Sequence, residues 1–252
     1  WFFKGQLIID DTPISNTLFS MIKSTLDKHS NSLVAFSDNS SVINGFLTSI
    51  LVKNNSNNIV VKKENIDIVL TAETHNFPSL ICPFEGANTG VGGRIRDNQA
   101  TGKGAYTLSS VAGYNVGSIN IDNLNFNNPI FEYYKNPLEI LINASNGASD
   151  YGNKYGEPII GGFTRSFGSN INNNHIEWIK PVMFSAGIGA INKKHLFNDP
   201  PKENMLIIRL GGPAYKIGMG GGFSSSNIQN TSNLTREYNA IQRGDPQMAN
   251  KL

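Results

Sequence analysis

An α/β or α+β fold is expected for this chain of 252 residues. Three observations point to it. Period-two alternation marks a strand at 65–71, helical spacing marks 13–28 and 137–145, and long glycine-rich passages separate such stretches. With 39% hydrophobic residues, a chain of this length can bury a sizeable core, as one large domain or two smaller ones.

Taken in order, Leu18, Phe19, Ile22 and Leu26 recur at helical spacing behind Pro13, so 13–28 is expected as an amphipathic helix on the first domain. The polar run 54–58 separates the apolar stretch 43–52 from 65–71, where Ile66, Ile68 and Leu70 alternate with Asp67 and Val69. A glycine-rich loop is expected over 86–104, a strand over 107–121, an Asn-rich loop over 122–128 and a helix over 137–145. A second loop-rich passage spans 147–162. Strands follow at 177–184 and 187–191. The polar linker 192–204, with Pro200-Pro201, is the expected domain boundary, and 205–210 reads as a hydrophobic strand ending in Gly211-Gly212-Pro213. The chain opens on Trp1 and ends at Leu252 in a helix-like segment, so both ends are expected to be cuts in a longer protein.

The net charge of +2 and the charged fraction of 16% give no long-range field of the kind a nucleic-acid binder needs. No stretch approaches the roughly 20 apolar residues that span a bilayer. The single cysteine, Cys82, excludes an intrachain disulfide framework and favours a reducing, cytoplasmic compartment. It lies between Ile81 and Pro83 with no adjacent base, and reads as a small buried residue; Trp178 and Phe184 read as core.

Four constellations can carry chemistry. The first, 71–78, closes a strand, and Pro78 is expected to keep Phe77 extended. Alternation then sends Glu73 and His75 to one face, about 7 Å apart, and Thr74 and Asn76 to the other. A carboxylate beside an imidazole can hold Mg²⁺ and move a proton; a polar strand end with a hydrogen-bonded His is the plainer alternative. The second, 86–97, has four glycines in its first eight residues and ends in Arg96-Asp97. Glycines let backbone N–H groups meet a phosphate, Arg96 suits an anion and Asp97 a metal, although turns alone would give the same composition. It is neither a Walker A loop nor a dinucleotide fingerprint. The third, 218–226, is a hydroxyl-rich glycine run that fits an anion site or a hinge. The fourth, 242–246, has the composition of a turn.

In this order, and with Asn146-Gly147-Ala148-Ser149-Asp150-Tyr151-Gly152-Asn153-Lys154-Tyr155-Gly156-Glu157-Pro158 between the second and third, these motifs closely resemble those of the large single-chain formylglycinamide ribonucleotide amidotransferases, the phosphoribosylformylglycinamidine synthase family. The resemblance covers nearly the whole chain. It implies an aminoimidazole ribonucleotide synthetase-like amino-terminal subdomain at 43–200, a leading segment at 1–42 and a truncated carboxy-terminal subdomain at 201–252. It also implies an ATP-dependent carbon–nitrogen ligase of purine synthesis that converts formylglycinamide ribonucleotide, glutamine and ATP to the amidine, glutamate, ADP and phosphate. The implied cofactors are ATP and Mg²⁺. The implied partners are the remaining synthetase and glutaminase domains of the same enzyme, with no nucleic acid and no membrane.

By the same resemblance His75 is the proton acceptor, and Glu73 and Asp97 are Mg²⁺ ligands. The ATP loop is Gly86, Ala87, Asn88, Thr89, Gly90, Val91, Gly92, Gly93, Arg94, Ile95, Arg96 and Asp97, while Thr74, Asn76, Arg96 and Gln242 touch the ribonucleotide. Phe77 stands where many bacterial members have a second His, which excludes a two-histidine mechanism, and Phe223 replaces a small residue of the third motif. A nucleotide-binding or assembly module without activity of its own is the alternative.

Overall fold

The computed structural model describes residues 2–26, 31–119, 134–210 and 234–252. Its centre is a six-stranded sheet in the order β3-β4-β5-β10-β6-β7. These strands are β3 (Ser32–Val34), β4 (Ser41–Lys53), β5 (Ile59–Thr74), β6 (Tyr106–Val116), β7 (Ile159–Ser166) and β10 (Val182–Asn192). All neighbours are antiparallel except β6 and β7, which are parallel and joined through α4 (Pro137–Tyr155). That is the mixed helix-and-sheet fold expected. Small hairpins lie outside the sheet: β1 (Leu7–Ile9) with β2 (Thr12–Ile14), and β8 (Gly168–Ile171) with β9 (Asn174–Glu177). Their turns place Asp10-Asp11 and Asn172-Asn173 at positive φ, the backbone that two-residue hairpins require and that Asn and Asp tolerate.

Two helices cover one face of the sheet. Ala87, Val91 and Ile95 of α3 (Pro83–Ala100) meet Ala144, Ala148 and Tyr151 of α4 over Ala112, Tyr114 and Met183 of the sheet, and all nine are buried. Helix α4 starts where the sequence marks it: Asn136 accepts the Glu139 N–H, Pro137 follows, and Gly156 closes the end at φ +97. Its continuation to Tyr155 replaces the loop expected from residue 147. There Gly147 lets the helix approach Phe84 so closely that a Cβ would lie 2.0 Å from the Phe84 carbonyl oxygen.

The 86–97 passage is also a helix rather than a loop, lying wholly within α3. Glycine's poor intrinsic propensity is overridden by tertiary packing. A Cβ at Gly86 would meet the Pro78 backbone, one at Gly90 His75 and Met183, and one at Gly92 the Tyr151 ring. The glycines therefore serve close approach, and interior helical N–H groups are spent on helical bonds rather than left for a phosphate.

Other expectations shift. The helix α1 is only Leu18–Ser24, with Pro13 inside β2. The stretch 177–184 is broken between β9 and β10, and the 42/43 boundary falls inside β4, whose Val42 shares a core with Val34 and Val69. Residues 205–210 form no strand, and Ile207 is fully exposed, because no edge of the sheet takes this segment as a partner. Trp178 is 38% exposed against Phe167 rather than in the core. The 218–226 motif with Phe223, the 122–128 loop and the last two residues of the strand expected over 107–121 fall outside the described residues, and that strand, β6, ends at Val116. Two carboxy-terminal helices, α5 (Leu234–Ala240) and α6 (Pro246–Lys251), pack on the short helix α2 (Asn76–Ile81) and on α4.

Candidate functional site

The site forms where β5 ends beside the start of β10. Thr74 pairs with Phe184 and Glu73 with Ser185 in the ladder. The chain then turns into α2 rather than staying extended: Phe77 is helical and buried beside Cys82 and Ile241. Pro78 is tolerated because it sits in the first turn, where an N–H has no intrahelical partner. This turn is tied to Met183 twice, by the His75 N–H to its carbonyl at 2.8 Å and by its N–H to Asn76 Oδ1 at 3.0 Å. The Asn76 side chain is thus engaged in structure at the place expected to meet substrate.

His75 is fixed in orientation. Its Nδ1 lies 2.5 Å from the Gly86 carbonyl oxygen, which can only accept, so Nδ1 carries the proton and Nε2 keeps its lone pair. Burial pushes its pKa below the ordinary imidazole value, the Gly86 carbonyl acts the other way, and the Arg96 charge adds to the lowering. A neutral imidazole with a free Nε2 at neutral pH is suited to accept a proton. Gly90 makes the room: a Cβ there would stand 2.8 Å from that of His75.

Glu73 and Asp97 come together from β5 and α3. Burial, and then the adjoining Asp97 carboxylate, raise the pKa of Glu73. Two carboxylates held close enough to repel suit a divalent cation, which would draw its remaining oxygen ligands from water and phosphate. Among the described residues no group of three or more His, Cys, Asp or Glu could hold a metal, so the fit rests on this pair. Arg96 is exposed next to Tyr151 and His75.

Of the other residues expected to bind ATP, Arg94 is fully buried. It bonds Glu157 with both terminal nitrogens, one at 2.9 Å, and Nε reaches Ser185 Oγ at 3.5 Å. Ala87, Val91 and Ile95 are core, and Asn88 reaches Asp150 at 3.2 Å. Only Gly93, Arg96 and Asp97 of that set have a face toward solvent beside the site. Gln242 is brought to α3 from far along the chain, its carbonyl accepting from Thr89 Oγ1 at 2.8 Å, with its side chain exposed. Gly244 and Asp245 adjoin Tyr151, so the turn 242–246 packs on the same helix pair. The Asn39 amide also reaches Asp97, and nothing in a lone Asp-Asn dipeptide signals that contact in the sequence.

Residues 55–191 match the family described as AIR synthase related protein, N-terminal domain, and the chain belongs to that family. Over its whole length it is 48% identical to a Dictyostelium discoideum protein named phosphoribosylformylglycinamidine synthase. It is 46% identical to an Arabidopsis thaliana protein named probable phosphoribosylformylglycinamidine synthase, chloroplastic/mitochondrial, and 44% identical to a Homo sapiens protein of the same enzyme name. The chain spans about one fifth of these relatives, 19%, 19% and 20% of their lengths. Among solved structures, T. maritima PurL complexed with ADP is 24% identical over 64% of this chain and 20% of that one, with a TM-score of 0.40, a likeness too partial to bear on the geometry above.

Proposed function

We propose that this chain is the amino-terminal-type synthetase part of a phosphoribosylformylglycinamidine synthase. The whole enzyme uses ATP, glutamine and water to convert formylglycinamide ribonucleotide to its amidine, releasing glutamate, ADP and phosphate. The observation that carries the reading is the convergence of His75, Glu73, Asp97 and Arg96 at one end of the sheet, in a chain 44–48% identical throughout to relatives of that name.

In this reading His75 Nε2 takes the proton that ammonia loses as its nitrogen bonds the glycinamide carbon and the activated amide oxygen leaves as phosphate. Its Nδ1–H bond to Gly86 holds the ring while it does so. Glu73 and Asp97 would hold Mg²⁺, and the chemistry such an ion would supply is neutralisation of phosphate charge. Arg96 offers a guanidinium to the phosphate of the ribonucleotide, and Thr74 lies on the exposed strand end one residue before His75. Phosphate recognition by the backbone of 86–97 is given up, since that backbone is helical; Gly93, Arg96 and Asp97 are the part of it that faces nucleotide. The domain division becomes a sheet-and-helix unit that begins at β3, followed by a segment from 201 belonging to a second subdomain. The cytoplasm fits the buried thiol of Cys82.

Calorimetry of Mg²⁺-dependent ADP and ATP binding tests the reading on wild type, Asp97→Ala and Glu73→Ala. Binding weakened by both substitutions is expected. Binding indifferent to both, or none by a folded wild type, overturns a metal–nucleotide site on this chain. A module that binds or assembles without activity is the second reading, favoured by an apolar sheet face opposite the helices that no described helix covers, where Leu70, Ile160 and Ile188 are exposed. That face fits burial against another domain of the same enzyme.

A further inference from the structure

The loop between β3 and β4 is stitched to the end of α3 at two points. Asp38 Oδ2 accepts the Gly102 N–H at 3.0 Å, and Asn39 Nδ2 donates to Asp97 Oδ1 at 3.2 Å. The two halves of the clamp are coupled, because Asp38 Oδ1 accepts the Asn39 N–H at 2.7 Å. The receiving end is equally fixed. Thr101 Oγ1 donates to the Asp97 carbonyl at 2.9 Å, and Gly102, at φ +55, sits so close to His195 that a Cβ would lie 2.3 Å from the His195 carbonyl oxygen. The loop itself cannot drift, since Ser40 beyond it is buried and Val34 and Val42 on either side belong to one core cluster.

Asp97 faces a like charge in Glu73, and a free carboxylate on a helix surface turns away from such a neighbour. An amide donor on Oδ1 opposes that rotation and makes no claim on Oδ2. We propose that Asn39 is a positioning residue for divalent-cation binding: its side-chain amide holds Asp97 toward Glu73, so that the two carboxylates meet a cation as a preformed pair. This rests on the reading of Glu73 and Asp97 as cation ligands. Donors to ligating carboxylates act in this way in metal sites generally, and their loss weakens metal affinity about 10- to 100-fold.

The test is a Mn²⁺ titration of the full chain followed by electron paramagnetic resonance of the free ion, with Mg²⁺ competition, alongside thermal midpoints without metal. Wild type binds and Asp97→Ala does not, which checks the ligand reading. Asn39→Ala weakens binding about tenfold or more with the midpoint unchanged, and Asn39→Leu, nearly the same shape without a donor or a charge, is at least as weak. If wild type fails to bind or Asp97→Ala binds normally, the ligand reading falls and the inference with it. If binding needs Asp97 but Asn39→Ala binds as wild type, the positioning role alone is overturned. A lowered midpoint in Asn39→Ala with unchanged affinity means a purely structural clamp.

Discussion

His75 shows how one hydrogen bond assigns a chemical role. Because the Gly86 carbonyl accepts from Nδ1, the ring presents Nε2 as a base, and burial keeps the ring neutral. A depressed pKa has a stability consequence of definite sign. Above the unfolded value of about 6.5 the folded and unfolded chains carry the same ring charge; below it the unfolded chain takes up a proton that the folded chain resists until its own lower pKa is reached. Wild type should therefore lose stability from about pH 6.5 downward. His75→Gln should flatten that slope by at most about 1.4 kcal/mol per pH unit, as read by urea denaturation at a series of pH values. An identical slope in both proteins would show that the ring is not held neutral. Arg94 gives a second test at this scale. Glu157→Ala leaves its guanidinium buried without a carboxylate and should cost about 3–5 kcal/mol in urea denaturation, whereas replacing both partners by apolar residues of similar volume should recover most of that.

At the scale of elements, α3 is the decisive one. It carries the glycines that read as a phosphate loop, yet Ala87, Val91 and Ile95 recur every four residues and were a helical signal in the sequence from the start. Local composition favoured a loop; packing against α4 and β10 decided for a helix. Gly147→Ala should separate α3 from α4 at their closest approach and destabilise the chain by about 1–3 kcal/mol, while Gly161→Ala, with nothing within 4 Å of the added Cβ, should change stability by less than about 0.5 kcal/mol. Comparable losses in the two variants, measured by thermal denaturation, would mean that glycine serves helix contact no more than it serves an open strand. The helix α4 was legible at its start, from Asn136 and Pro137, and obscured at its end by Gly147 and Gly152, whose reason is the closeness of Phe84 and Glu157.

For the whole molecule, the described helices α3 and α4 cover one face of the sheet. Leu70, Ile160 and Ile188 lie exposed together on the other, a cluster of apolar side chains that suits contact with another surface. Concentration-dependent self-association is expected in sedimentation velocity. Ile160→Lys should reduce it while shifting folding stability by no more than about 0.5 kcal/mol, and undiminished association would place the sticky surface elsewhere. By itself the sequence determined the mixed fold, the polar break at 54–58, the start of α4, the burial of Cys82 and the order of the motifs, since each is written in local patterning or residue type. Tertiary structure decided that 86–97 is helix, that Arg94 is a buried ion-pair partner rather than a nucleotide contact, that 205–210 finds no strand to pair with, and that Asn39 and Gln242 reach α3 at all. These turn on contacts between residues tens to more than a hundred positions apart, and no local pattern encodes which glycine will meet a ring, a carbonyl or empty space.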